Sequence, residues 1–296
     1  MSRTKRGVDG AAPYIFLSPW FIGFLLFSGM PILASFVISC MKWDLLGEPE
    51  WVGIANYANL FEPGSGFYKT LQATLIFTLV NVLVTVLGSL GLAVLLNLKV
   101  RFIGVFRFVY FLPMVIPVVV LAATMSLIFD PNLGVANYLL GRVGIEGPNW
   151  MADPVGIWMV VGLMSLFSFG TGQMMLIFTT GIKEVPQELV EAAALDGANA
   201  WHRFLNVTVP SISPLILFNL VIATVGSFNG AFTIIYPLSE GGPGDVTRVL
   251  SLDIYKTVFQ KFDLGTGSAM AMVLFVIVAA ISALQFKLSQ RHVSYG

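Results

Sequence analysis

The chain of 296 residues is 56% hydrophobic and only 11% charged, with a mean hydropathy of +0.84. A soluble domain carries about 25% charged residues, so this composition excludes an ordinary water-facing surface, and its apolar content excludes disorder. Sixteen basic and sixteen acidic residues cancel, which argues against a nucleic-acid partner; a single cysteine, Cys40, excludes an internal disulfide framework, and two histidines, His202 and His292, make a His-based metal site improbable.

Six stretches contain no Asp, Glu, Lys or Arg: 10–41, 70–98, 108–129, 154–182, 204–239 and 264–286. Each exceeds the roughly 20 apolar residues that cross a bilayer as a helix. Lipid satisfies no open backbone groups, so helices are the expected form. The composition therefore predicts an all-α, polytopic membrane protein with six transmembrane helices.

Arg3, Lys5 and Arg6 precede the first stretch and, by the positive-inside rule, hold that end in the cytoplasm. Alternation then puts 99–107, 183–203 and 287–296 on the same side. The inside segments carry ten Lys/Arg against five Asp/Glu, and the outside segments six against eleven. Trp43, Trp51 and Trp150 fall near the outer interface, which suits amphipathic rings. Val37-Ile38-Ser39-Cys40 resembles a lipoprotein cleavage site. The apolar run before it is about twice the 7–15 residues of a signal peptide, so Cys40 reads as an ordinary residue at a helix end.

In the second stretch Gly88, Gly91 and Ala93 offer a small face for close helix approach. In the third, Pro113 and Pro117 predict a kink or local unwinding. The fourth holds Ser165, Ser168, Thr171 and Gln173, and the fifth Asn219, Thr224, Ser227, Asn229 and Thr233. Spacing alone leaves two readings open: hydrogen bonds between helices, or a cavity for a neutral, hydroxyl-rich solute. No Asp, Glu, His, Lys or Arg occurs in any stretch, which argues against an ion-coupled carrier. No G-x-x-x-x-G-K-[ST] loop occurs either, so ATP, if it drives the protein, is bound by another subunit.

The segment 183–214 is distinct. Val185-Pro186 predicts a helix start, Glu188 and Glu191 sit where the dipole favours acids, and Ala192-Ala193-Ala194 is strongly helical. Gly197 predicts a break, followed by a second short helix over roughly 199–206 and Pro210 just ahead of the next stretch. The spacing Glu191-Ala192-Ala193, Gly197, nine residues, Val207-Thr208-Val209-Pro210 resembles the E-A-A-x3-G-x9-I-x-L-P loop of permease subunits of bacterial ABC importers, with Val in place of both Ile and Leu. Gly241-Gly242-Pro243-Gly244, Thr247, Leu250, Tyr255, Phe259, Phe262, Gly265 and Ser268-Ala269, together with Gly53-Ile54-Ala55-Asn56-Tyr57, are similar to the maltose-permease F-type subunits of carbohydrate importers.

The resemblance implies a type I ABC importer transmembrane domain in the bacterial inner membrane, with both termini cytoplasmic and lipid around it. It implies a second homologous permease, two ATPase subunits that carry ATP and magnesium, and an extracytoplasmic solute-binding protein. This chain itself would hold no cofactor or metal and be no enzyme. The implied organisation is a tail over 1–12, a first helix and loop over 13–69, a core over 70–288 with its coupling loop at 183–210, and a tail over 289–296. Coupling to the ATPase would fall on Glu191, Ala192, Ala193, Asp196, Gly197 and Pro210. Solute contacts would fall on Leu166, Gly170, Gln173, Ala223, Ser227 and Ala231, with Asn229 close by. Helical repeat puts 223, 227 and 231 on one stripe and 166, 170 and 173 on another. The implied solute is a sugar, an oligosaccharide or glycoside. A polyol or glycerol phosphate is the alternative within the fold, and an ion-coupled carrier or channel acting alone is the alternative outside it.

Overall fold

A computed structural model describes residues 12–98 and 103–289. The basic groups Arg3, Lys5, Arg6, Lys99, Arg101 and Arg291, and with them residues 1–11 of the predicted tail 1–12 and 290–296 of the predicted tail 289–296, lie outside the described residues. The elements begin with α1 (Ala12–Phe24), which a π-helical turn at Leu25–Gly29 joins to α2 (Met30–Ser39). A two-residue ribbon follows, β1 (Met41–Lys42) antiparallel to β2 (Glu50–Trp51), and then α3 (Ala55–Leu60). Next come α4 (Phe67–Asn97), α5 (Ile103–Met114), α6 (Val118–Ile128), α7 (Val135–Arg142), α8 (Pro154–Leu166) and α9 (Phe169–Glu184). The chain ends with α10 (Gln187–Leu195), α11 (Ala200–Arg203), α12 (Val209–Ser211), α13 (Ser213–Ser239), α14 (Leu250–Tyr255) and α15 (Leu264–Ser289).

Among the described residues, four helices are long and apolar enough to cross a membrane: Tyr14–Ser39, Phe67–Asn97, Ser213–Ser239 and Leu264–Leu288. The pair α8 and α9 makes a fifth span if counted as one, bent by 52°. The third predicted stretch is not one helix but two short ones, α5 and α6. Pro117 lies in extended conformation, ψ 138°, at the head of α6, because it has no N–H to continue the ladder.

The chain divides into two compact units. One comprises residues up to Ser65 with Ile254–Val273. Here the Gly53–Tyr57 motif finds its structural role. Buried Asn56 donates 2.8 Å bonds to the carbonyls of both Ser39 and Met41, and the Tyr57 hydroxyl lies 2.6 Å from Ser39 Oγ. Cys40 follows as the buried C-cap of α2.

The other unit is Gly66–Asp253 with residues from Leu274 onward. Its axis is α4, which packs against α8, α9 and α13. Residues Thr70, Thr74, Phe77, Thr85, Ser89, Leu92 and Leu96, at helical spacing, are all buried. Gly88 allows the close approach expected of it, since a Cβ there would stand 2.4 Å from Leu166 Cδ1. Two apolar clusters fill the unit. The first centres on Phe77, Ile157, Val160, Val161 and Ile235, and the second on Ala93, Met175, Phe178 and Ile212.

Candidate functional site

Between the two clusters lies a cavity of about 320 Å³. Its walls take Phe77 and Ile234 from the first cluster and Met174 and Ala223 from the second. Three helices carry its polar rim: Asn81 and Thr85 from α4, Gln173 from α9 with the preceding Ser168, and Ser227 and Thr233 from α13. None of the described lining residues is charged. Such a surface offers hydroxyl and amide donors and acceptors with aromatic and methionine walls, and binding to it demands no counter-charge.

The bend between α8 and α9 presents this rim. Ser168 caps α9 by accepting from the Thr171 N–H at 3.4 Å, while Thr171 Oγ1 donates to the Ser165 carbonyl at 2.8 Å. These local bonds end one helix and start the next. The single stripe expected for 166, 170 and 173 is therefore split. Gly170 and Gln173 line the cavity from α9, whereas Leu166 closes α8 and lies in an apolar groove beside Val80, Val84 and Trp158. On α13, Ala223 and Ser227 line the cavity, but Ala231, 1% exposed, packs in the first cluster. Four-residue steps advance about 40° each around a helix of 3.6 residues per turn, so the stripe drifts off the cavity and Gly226, Gly230 and Thr233 take its place. Asn229 is exposed and lies outside the lining. Asn81 and Thr85 are lining residues that the sequence spacing did not single out, whereas Thr233 belongs to the polar set of the fifth stretch. The signal for the first two was polar residues at helical spacing in α4.

A larger groove of about 430 Å³ lies in the first unit, among Lys42, Trp43, Asp44, Glu48, Glu50 and Asp263. Backbone N–H groups of Gly47 and Leu46 hold the Asp44 carboxyl below its ordinary pKa. Among the described residues, no group of three or more His, Cys, Asp or Glu could hold a metal ion.

The segment 186–212 forms the bent pair expected, with differences in detail. Pro186 is the N-cap of α10 rather than its first residue. The second helix is α11, continued through a π-helical turn at Phe204–Thr208 into α12, which contains Pro210. α10 ends in a Schellman motif: Ala198 N–H donates to the Ala193 carbonyl at 3.0 Å and Gly197 N–H to that of Ala194 at 3.1 Å. Gly197 has φ +85°, a left-handed conformation that any side chain would strain. Asn199 then caps α11, accepting from His202 N–H at 2.9 Å. Glu191, Ala192, Asp196, Gly197 and Pro210 are exposed and Ala193 half-buried. Beside them stand three apolar side chains, Leu189, Leu195 and Trp201, with Leu195 90% exposed.

The comparisons with known proteins agree with this architecture. Residues 86–293 match the family described as "binding-protein-dependent transport system inner membrane component". The chain is 37% identical over 290 residues to the probable ABC transporter permease protein YesP of Bacillus subtilis, covering 97% of this chain and 93% of that one. It is 34% identical over 283 residues to the arabinooligosaccharides transport system permease protein AraP of the same organism, covering 94% and 88%. Its fold matches a chain of the bacterial alginate ABC transporter, solved with an alginate pentasaccharide-bound periplasmic protein, with a TM-score of 0.83 at 21% identity and full coverage of both chains. Broken apolar helices around an uncharged cavity, a capped helix pair at the expected spacing and matches of this extent together make the chain a multi-pass membrane protein of the binding-protein-dependent transport system inner membrane component family.

Proposed function

We propose that the chain is one of two permease subunits of an ATP-driven importer, and that it passes an uncharged sugar, an oligosaccharide or glycoside, through the cavity between its two apolar clusters. The observation that carries this reading is the lining itself, polar on three helices and without a charge among its described residues. A phosphorylated solute would call for a cation or a bidentate Arg there. The name of AraP, a relative for arabinooligosaccharides, points the same way.

On this reading α10, with Leu195 and Trp201 beside it, docks on an ATPase subunit, and each of two ATPases receives one such helix. ATP and magnesium are bound on those subunits and not on this chain. A solute-binding protein delivers sugar from the outside, and ATP-driven closure of the ATPases rocks the permease halves between inward- and outward-facing states. The membrane is the bacterial inner membrane with both termini cytoplasmic, supported by ten Lys/Arg against five Asp/Glu in the segments assigned inside and six against eleven outside.

The test is uptake of a panel of labelled oligosaccharides by cells with and without the gene. Uptake of at least one member should be lost on deletion, and also when the partner ATPase is inactivated. Uptake that survives inactivation of the ATPase would contradict the reading.

A further inference from the structure

Asn219 is fully buried, and neither amide atom of its side chain has a hydrogen-bond partner among the described residues. Its surroundings make this unusual. Ile212, Leu215, Ile216, Leu220 and Ala223, its neighbours along the helix, all belong to the second apolar cluster. Nearby hydroxyls on α13 satisfy themselves on their own backbone: Thr224 Oγ1 donates to the Leu220 carbonyl and Ser227 Oγ to that of Thr224, each at 2.8 Å. The Asn219 amide makes no such bond, although Asn97 Nδ2 on α4 does reach the Ala93 carbonyl at 2.9 Å, and burying an unpaired amide dry is unfavourable. No partner chain can reach it in this conformation, because it has no exposed surface.

Its position gives the unpaired amide a use. Asn219, Ala223 and Ser227 follow one another at four-residue steps, so they lie along one slowly turning stripe. Ala223 and Ser227 line the cavity, and Asn219 is one turn further toward the α10–α12 segment. Thr85, on the facing helix α4, lines the same cavity and also has a buried, unpartnered Oγ1. The second cluster, which supplies Met174 and Ala223 to the cavity wall, is thus placed to act as an apolar plug on that side, with one unpaired amide beside it.

We propose that Asn219 is the next polar contact on the solute path: sealed in this conformation, and opened to solute hydroxyls when the plug parts. This rests on the cavity being the solute path, as argued above. A hydrogen-bonding group there would be costly in the closed state and useful in the open one, which favours alternation over a standing channel.

The test uses the complete transporter, with partner permease and ATPases, in lipid nanodiscs. Asn219→Cys, Ser227→Cys and Ala231→Cys are each placed in a Cys40→Ser background. Labelling of this chain by the small cationic thiol reagent MTSET is followed by mass spectrometry, nucleotide-free and trapped with ATP and vanadate. The expected result is a rate at position 219 that differs by about tenfold or more between the two states, with position 231 unreactive in both. If position 227 reacts but 219 is as inert as 231 in both states, Asn219 is off the path and the proposal fails alone. If 227 is also inert in both states, the cavity is not the path and the underlying reading fails with it. Asn219→Thr supplies a second measurement, being close in volume and able to bond the carbonyl four residues back. Its melting midpoint should be no lower than that of the parent, and a lower midpoint would show that the amide holds structure instead.

Discussion

Asn81 Nδ2 donates a 2.8 Å hydrogen bond to Ser165 Oγ, joining α4 to α8 beside the cavity. Ser165 is fully buried and its hydroxyl donates a hydrogen bond to the Val161 carbonyl at 2.8 Å. Asn81 is thus held by one edge while lining the cavity. Asn81→Leu removes the polar edge and leaves Ser165 satisfied on its own helix. The loss in stability should be about 0.5–1.5 kcal/mol, whereas the concentration for half-maximal uptake should rise several-fold. Thermal melting and uptake titration on the same preparation separate the two effects.

Arg248 and Asp253 form the second relationship on which the fold depends. Asp253 is 5% exposed and accepts from Arg248 Nε at 2.9 Å and from Thr70 Oγ1 at 3.4 Å. Burial disfavours the Arg248 cation, but its hydrogen bonds to Asp253 outweigh that and raise its pKa. Arg248→Met leaves a buried carboxylate without its cation. The expected cost is about 1.5–3 kcal/mol, lowered toward the smaller figure by the partial exposure of Arg248. The double variant Arg248→Met with Asp253→Asn should recover part of it, read as the melting midpoint in detergent.

Gly197 is the hinge of the α10–α11 pair. Gly197→Val puts a β-branched residue at φ +85°, a strain of about 1–3 kcal/mol, and should loosen the Schellman turn. Glu191→Lys reverses a charge on the exposed face of α10, and Trp201→Ala removes an apolar contact 65% exposed in the free chain. Each should leave the chain in the membrane and weaken its co-purification with the ATPase. Normal assembly in all three variants would remove this segment from coupling.

Topology is tested with single cysteines at Glu146 and Lys183 in a Cys40→Ser background. An impermeant reagent applied to intact cells should label position 146 and not 183. Equal labelling would overturn the orientation.

Much of this was legible in the sequence, for physical reasons. Four of the charge-free stretches read directly as helices long enough to span and a fifth as a bent pair, while the third is two short helices, and Gly197 read as a helix end because glycine is comfortable at that φ. The break between α8 and α9 was not legible, because Ser168 and Thr171 act through local hydrogen bonds that leave the hydropathy pattern unchanged. Without the break, Leu166 appeared to share a stripe with Gly170 and Gln173. Ala231 was misplaced by a smaller cause, the accumulated drift of four-residue steps around α13. Asn81 and Thr85 went unselected because the polar spacing along α4 does not say which helices it faces until α9 and α13 are set beside it.

The central claim, that solute passes the cavity between the two clusters, is tested most directly by uptake at limiting substrate in Gln173→Ala and Ser227→Leu. Both residues line the cavity, and Ser227 is 2% exposed with its hydroxyl bonded to its own helix. Gln173→Ala removes one amide from the rim and should slow uptake by about two- to tenfold, the equivalent of about 0.5–1.5 kcal/mol. Ser227→Leu also fills the space and should reduce uptake further, with ATPase assembly intact in both. Wild-type uptake by both variants would contradict the account and place the path elsewhere.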